Sequence, residues 1–228
     1  MKIKKITFLL LFLLFAIASI KVQAQEWVRK YRADNERLAQ LPAEKDRVVF
    51  MGNSITEVWG RSRPQFFEGK PWINRGGNGQ CTSNMLLRFR ADVINLKPKV
   101  VIILAGTNDI AENGGPFDFE FSQNNIASMA MLAKANGIRV ILCSILPVYE
   151  YPWRKTIVDP IGKIAAMNEW IKNYAAENNH IYLDYYSAMV DARKGLKAEY
   201  TTDGVHCSPE GYALMESLVV PAIKKALK

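Results

Sequence analysis

The sequence predicts an α/β domain of three layers, in which helices cover both faces of one parallel β-sheet. Short apolar runs that are typical of buried strands alternate with helical patterns along the chain after its first 24 residues. The run Val100–Leu104 is apolar at every position, as expected for a central strand whose two faces are both covered. Strands separated by helices favour parallel pairing, because a parallel neighbour needs a long crossover connection.

Each element has its own signal. Residues 26–41 form an amphipathic pattern and predict an N-terminal helix with Trp27, Tyr31, Leu38 and Leu41 on one side. The apolar runs predict strands at 47–51, 72–74, 100–104, 139–146 and 181–186. Start and stop residues, such as Pro98, Gly137 and the pair Ser208-Pro209, bound the helices. The predicted helices are 83–96, 119–136, 161–178 and 208–227.

Residues 1–24 have the composition of a secretory signal peptide. Lysines open the segment, an apolar run covers 6–20, and Val22-Gln23-Ala24 forms a small-residue cleavage site. An uncleaved membrane anchor is the alternative, but the apolar run is short for a span of roughly 20 residues. We expect a single mature domain, 25–228, that is exported to the periplasm or the exterior and keeps no stable membrane anchor.

Charge and cysteine content narrow the possible partners. The formal net charge is +8, and the four lysines of the signal segment supply half of it, so no nucleic-acid partner is predicted. The three cysteines match no zinc pattern, and only two histidines are present, so no metal site is expected. A disulfide between Cys81 and Cys207 is left open, since one thiol of three must remain unpaired within the chain.

Polar residues follow several of the predicted strands. Ser54 comes after the first strand, Gly79 lies in a glycine-rich turn after the second, and Asn108 follows the third. Because ligands bind beyond the carboxyl ends of parallel strands, these residues are expected at one edge of the sheet. Each also has a purely structural alternative: Ser54 as a helix N-cap, Gly79 as a plain turn, and Asn108 as a turn-former.

An acid and a histidine lie together near the end of the chain. Asp203 precedes His206 by three residues, so both side chains can share one loop. A histidine that removes a proton from a serine needs a carboxylate to fix its tautomer and steady its charged form. The structural alternative is a loop histidine beside an Asx turn. His180, the other histidine, lies in a helix-to-strand connection, which leaves His206 as the better candidate base.

Four short motifs together resemble the conserved blocks of the SGNH hydrolases, also called GDSL esterases. The order of the motifs and the strands that precede them match those of the family over about residues 45–226. Asn53 stands where the family usually has Asp, and Ile55 where it usually has Leu. The four motifs are Gly52-Asn53-Ser54-Ile55, Gly79 within 74–79, Gly106-Thr107-Asn108-Asp109, and Asp203-Gly204-Val205-His206.

The resemblance implies a flavodoxin-like sheet of five parallel strands and a reaction without a cofactor. It implies that Ser54 is the nucleophile, His206 its base, and Asp203 the residue that orients the base. It also implies an oxyanion hole formed by the Ser54 backbone N–H, the Gly79 backbone N–H and the Asn108 side chain.

The sequence therefore predicts a secreted serine esterase that works through an acyl-enzyme. The aromatic stretch 146–159 is either a packed surface loop or a wall of the substrate site. Without a visible apolar channel, short acyl groups, above all acetyl on carbohydrate, are predicted. The alternatives are a lipase, lysophospholipase or thioesterase, and, from another class, a non-catalytic carbohydrate-binding homologue. The alcohol part of the substrate and the oligomeric state are left open.

Overall fold

The structure is a computed structural model, and it describes residues 28–42 and 44–228. The predicted signal peptide, 1–24, and Trp27 of the predicted first helix lie outside the described residues. Within the described part, no helix is long and apolar enough to cross a membrane.

Five parallel strands form one sheet, which confirms the predicted fold class. The strands are β1 (Val48–Gly52), β2 (Trp72–Gly76), β3 (Val100–Leu104), β4 (Arg139–Cys143) and β5 (Ile181–Leu183). Their order across the sheet is β2-β1-β3-β4-β5. Gly52 pairs in register with both Gly76 and Leu104, so the three strands that precede the polar motifs end at the same level.

Helices cover both faces of the sheet. They are α1 (Arg32–Ala39), α2 (Ser54–Ser62), α3 (Thr82–Asp92), α4 (Thr107–Ile110), α5 (Phe119–Ala135), α6 (Pro160–Glu177), α7 (Tyr186–Met189) and α8 (Pro209–Leu227). Alternate residues of β1 enter different cores: Val49 and Met51 pack under α3, α5 and α6, whereas Val48 and Phe50 pack under α2 and α8. Every position of the central strands is buried, and apolar residues of these strands contribute to both cores.

Two predicted strands are shorter in the structure. The strand predicted at 139–146 ends at Cys143, because the Asn168 side chain takes over both backbone groups of Ile145: it accepts from the Ile145 N–H at 2.7 Å and donates to the Ile145 carbonyl at 3.0 Å. The strand predicted at 181–186 ends at Leu183, because Tyr186 begins α7 and donates its N–H to the Ser144 hydroxyl.

The helix boundaries also shift. The helix predicted at 26–41 is described as Arg32–Ala39, and Leu41, which is 50% exposed, does not join its packed side. The helix predicted at 83–96 ends at Asp92 and is followed by a separate 3₁₀ turn, Ile94–Leu96.

All three cysteines are buried free thiols, so the disulfide left open between Cys81 and Cys207 is not formed. Burial raises the pKa of both thiols to about 12, which keeps them protonated at neutral pH. The Cys207 sulfur lies 3.6 Å from the Met215 sulfur inside the core under α2 and α8.

Candidate active site

Ser54 is the first residue of α2, directly after β1. A helix does begin here, as the structural alternative for Ser54 assumed, but its N-cap is Asn53, whose side-chain oxygen accepts the Ile55 N–H at 3.0 Å. The Ser54 hydroxyl is therefore not used for capping. The turn is tight, since a Cβ at Gly52 would lie 2.0 Å from the Thr56 hydroxyl oxygen. Only glycine fits there, which fixes the point at which the chain turns into the helix.

His206 and Asp203 meet Ser54 across the sheet edge. The Ser54 Oγ lies 2.9 Å from the His206 Nε2, although the two residues are 152 positions apart in the chain. The His206 Nδ1 lies 2.7 Å from the Asp203 Oδ2. A carboxylate can only accept, so it selects the tautomer with the proton on Nδ1 and leaves Nε2 to accept from the serine hydroxyl.

Local backbone bonds hold the Asp203 carboxylate in place. Its Oδ1 accepts the backbone N–H groups of Val205 at 2.9 Å and of His206 at 2.7 Å. Partial burial alone would raise the pKa of Asp203, but these two N–H donors and the His206 ring outweigh burial and lower it. The carboxylate is therefore ionised at neutral pH. The Asx turn and the acid–base pair, which the sequence presented as alternatives, occur together.

Gly79 lies in the loop after β2, close to the start of α2. Its φ of +70° favours glycine, and a Cβ built on it meets nothing within 4 Å, so the space beside it is open. The loop is fixed by its neighbours: Gly77 donates its N–H to the Gly52 carbonyl at 3.0 Å, and Asn78 donates its N–H to Glu57 at 2.7 Å. Among the described residues, neither the Ser54 N–H nor the Gly79 N–H donates to a protein acceptor.

Asn108 lies in the first turn of α4 and is buried. Its side-chain Nδ2 donates to the Gln80 carbonyl at 3.0 Å, and its Oδ1 accepts from the Asn113 Nδ2 at 2.9 Å. An amide nitrogen carries two hydrogens, so a second N–H remains for a ligand. The next residue is Asp109. It accepts both the backbone N–H and the hydroxyl of Thr82, and burial raises its pKa.

Sequence reasoning missed the buried arginine that braces this edge of the sheet. Arg88 donates to the carbonyls of Gly52 and Arg75, at the ends of β1 and β2. It also donates to the Gln80 side chain at 2.6 Å and pairs with Asp92 at 2.7 Å. The side chains of this pair are 0% and 2% exposed, although an Arg–Asp pair four residues apart on a helix is ordinarily a surface feature.

The aromatic stretch 146–159 is a packed loop at one residue and lies beside His206 at another. Tyr151 is buried, with its hydroxyl 2.9 Å from the Thr107 hydroxyl, and anchors the stretch as a packed loop. Trp153 is 45% exposed, and its ring centroid lies 6.2 Å from that of His206. This indole forms a wall beside the Ser54–His206 pair.

The residues predicted from the motifs are therefore gathered at one edge of the sheet. The arrangement offers a hydroxyl paired with an imidazole, a carboxylate behind that imidazole, and nearby N–H groups that have no protein acceptor. In chemical terms it can generate a nucleophile and stabilise an oxyanion. Among the described residues, no group of three His, Cys, Asp or Glu side chains has an arrangement that could hold a metal ion.

Known proteins resemble this chain over most of its length. The model of the GDSL-like Lipase/Acylhydrolase family matches residues 50–214. A solved structure of a GDSL-like lipase from Bacteroides thetaiotaomicron is 50% identical, with a TM-score of 0.85, over 87% of this chain and 98% of that one.

Two curated relatives are esterases by name. An acetylxylan esterase of Xylanibacter ruminicola is 26% identical over 229 residues, which cover 82% of this chain but 45% of that protein, so the chain spans less than half of its length. An isoamyl acetate-hydrolyzing esterase 1 homolog of Homo sapiens is 27% identical over 206 residues, which cover 78% of this chain and 82% of that protein.

Proposed function

The chain belongs to the GDSL-like lipase/acylhydrolase family, and on this premise we propose that it is a serine esterase that removes short acyl groups, above all acetyl, from carbohydrate esters. Ser54 is the nucleophile, His206 the general base, and Asp203 the residue that orients the base. The observation that carries this proposal is the continuous contact from the Ser54 Oγ through the His206 ring to the Asp203 carboxylate, with distances of 2.9 and 2.7 Å.

The reaction has two halves. The Ser54 Oγ attacks the ester carbonyl while the His206 Nε2 takes the hydroxyl proton, and the oxyanion is held by the N–H groups of Ser54 and Gly79 and by the Asn108 amide. His206 then gives its proton to the departing alcohol, which leaves an acyl group on Ser54. Water attacks this acyl-enzyme, His206 takes a proton from the water and returns it to the Ser54 oxygen, and the free acid departs.

Two observations favour acetyl esters of a carbohydrate. The names of two relatives describe acetyl esters, acetylxylan in one case and isoamyl acetate in the other. Trp153, half-exposed beside His206, offers an aromatic face on which a sugar ring can stack. The signal-like segment 1–24 supports export to the periplasm or the exterior, where polysaccharides are met.

The nucleophile and the base are tested by substitution. We expect Ser54→Ala and His206→Ala to lower kcat on p-nitrophenyl acetate by at least about 10⁴-fold, because each removes one member of a catalytic unit. His180→Ala is the matched control, since it removes the other histidine of the chain, which the reaction does not use. A fluorophosphonate should label the unsubstituted protein and leave Ser54→Ala unlabelled. Undiminished hydrolysis by Ser54→Ala contradicts the assignment.

The substrate class is tested separately. We expect kcat/KM to be highest for acetyl in a series of p-nitrophenyl esters from acetyl to decanoyl, and acetate to be released from acetylated xylo-oligosaccharides. Activity that rises steadily with chain length overturns the deacetylase proposal in favour of a lipase. Binding of acetylated sugars with neither turnover nor fluorophosphonate labelling favours the non-catalytic alternative.

A further inference from the structure

We propose that Asn113 is a positioning residue for the reaction: it sets the direction of the Asn108 amide and connects that amide to the Trp153 wall. The inference rests on the proposed function, because it assigns a task to Asn113 only if Asn108 stabilises an oxyanion. No motif in the sequence singles out Asn113, which lies in a loop after α4.

The connection is a chain of three hydrogen bonds through two amides. The Trp153 Nε1 donates to the Asn113 Oδ1 at 3.2 Å. The Asn113 Nδ2 donates to the Asn108 Oδ1 at 2.9 Å, and the Asn108 Nδ2 donates to the Gln80 carbonyl at 3.0 Å. We call this chain of side chains the amide relay.

The two ends of the amide relay determine its direction. The Trp153 indole nitrogen can only donate, so the oxygen of the Asn113 amide must face it and the nitrogen must face Asn108. At the other end the Gln80 carbonyl can only accept, so the Asn108 nitrogen must face it. Both ends therefore require the same orientation, in which the Asn108 nitrogen keeps one N–H for the substrate. Reversing either amide would place two donors or two acceptors against each other.

The backbone around Asn113 is held in an unusual conformation that supports this placement. Glu112 has a φ of 57°, a left-handed value that side chains rarely adopt. Its carbonyl accepts from the Arg154 guanidinium, which follows Trp153 in the aromatic stretch. The Asn113 N–H donates to the Asn108 carbonyl at 3.0 Å. The loop that carries Asn113 is thus fastened both to the Trp153 wall and to α4.

A double-mutant cycle on p-nitrophenyl acetate tests the relay. We expect Asn113→Ala to lower kcat about tenfold with KM unchanged, since the Asn108 amide loses the partner that orients it. Asn113→Asp should lower kcat further, because its carboxylate cannot donate to the Asn108 oxygen and instead attracts the Asn108 N–H. In an Asn108→Ala background, Asn113→Ala should have no further effect. Asn136→Ala, at the end of α5, is the matched control for an Asn side chain outside the site.

The Trp153 end is tested by comparing two substitutions. Trp153→Phe keeps an aromatic wall but removes the N–H, so we expect kcat on p-nitrophenyl acetate to fall about as much as in Trp153→Ala. If the fold-losses in kcat of Asn108→Ala and Asn113→Ala multiply in the double variant, the amide relay is overturned. An undiminished kcat in Trp153→Phe overturns it as well. If the unsubstituted protein is inactive, or if Ser54→Ala remains active, the proposed function fails instead. Unchanged thermal unfolding in each variant shows that the kcat values report on folded protein.

Discussion

The two sides of the proposed active site are built in opposite ways. On the oxyanion side, Asn108 and Arg88 are buried, and their hydrogen bonds connect residues from β1, β2 and the loops that follow them. On the acid–base side, Asp203 and His206 share one loop, and their side chains are 40% and 27% exposed. The first side depends on distant parts of the chain, and the second depends on its own neighbours.

The two aspartates of the site show what this difference does to charge. Burial raises the pKa of Asp109, even though Thr82 donates two hydrogen bonds to it. Burial acts on Asp203 in the same direction, but the backbone N–H groups of its own turn and the His206 ring lower its pKa. The charged carboxylate that the proposed mechanism requires of Asp203 is thus easier to maintain on a half-exposed loop than in the interior.

The largest fall in kcat is expected from a change on the acid–base side. Asp203→Asn should lower kcat by about 10⁴-fold with the fold unchanged, because an amide that donates to the His206 Nδ1 selects the wrong tautomer. The measurement is steady-state hydrolysis of p-nitrophenyl acetate. Asp191→Asn is the matched control, because Asp191 makes a similar turn with the N–H groups of Arg193 and Gly195 away from the proposed catalytic residues. An Asp203→Asn protein with a tenth or more of the normal kcat would contradict the role of Asp203.

The next largest effect is on the stability of the protein and comes from a change on the oxyanion side. Arg88→Met should lower the free energy of unfolding by about 3–5 kcal/mol, because Asp92 is left as a buried charge without its partner. Urea unfolding measures this change. Arg90→Met, an exposed position on the same helix, is the control and should change the stability little. Equal losses in the two variants would show that Arg88 is not a brace.

A change on the oxyanion side should lower kcat less than Asp203→Asn does. Asn108→Ala should lower kcat by about 10²–10³-fold, or about 2.7–4 kcal/mol, because one of the three proposed oxyanion donors is lost while the proposed nucleophile and base remain. Stopped-flow measurement of acylation with p-nitrophenyl acetate separates this step from deacylation. A loss as large as that in Asp203→Asn would remove the contrast between the two sides.

The smallest effect is on the pH dependence of stability. Burial raises the pKa of Glu57, but the Lys30 ammonium and the Asn78 N–H outweigh it and hold the pKa below its ordinary 4.5. The stability that the folded protein gains from the charged Glu57 is therefore present above pH 4.5 and is lost as the pH falls through the lowered pKa. Urea unfolding of the unsubstituted protein and of Glu57→Gln should differ by under about 1 kcal/mol near neutral pH, and less in acid.

Asp109→Asn should show the opposite slope. Because burial raises the pKa of Asp109, the folded state favours its protonated form, and the stability from that form is lost as the pH rises through the raised pKa. The unsubstituted protein should therefore gain stability relative to Asp109→Asn as the pH falls. If the stability difference from the unsubstituted protein changes with pH in the same direction for Glu57→Gln and Asp109→Asn, the electrostatic difference between Glu57 and Asp109 is contradicted.

The sequence predicted the acid–base side more completely than the oxyanion side, for a physical reason. Asp203 and His206 are three residues apart, so one local pattern places them together. Ser54 follows an apolar strand, and the ends of parallel strands lie at one edge. Arg88 has no comparable signal, since its burial depends on β1 and β2 ending side by side. The direction of the Asn113 amide depends on an indole 40 positions away.

The predicted strand lengths were wrong for a similar reason. Ile145 and Leu146 continue the apolar pattern of β4 after a single serine, Ser144. Their departure from the sheet depends on the Asn168 side chain, which belongs to a helix further along the chain. An apolar pattern records burial, but it does not record which partner takes the backbone hydrogen bonds.

The contact between the end of β2 and the start of α2 limits how this protein can diversify. A single methyl group at Gly76 would lie 2.1 Å from the Glu57 backbone nitrogen, so the chain has no room to accept larger residues at this point. Room for larger side chains lies on the opposite flank, where parts of the segments after β3 and β4 are exposed. Insertions and exchanges that alter which esters are accepted should concentrate at 111–117 and 147–159, while the glycine flank stays unchanged among active descendants.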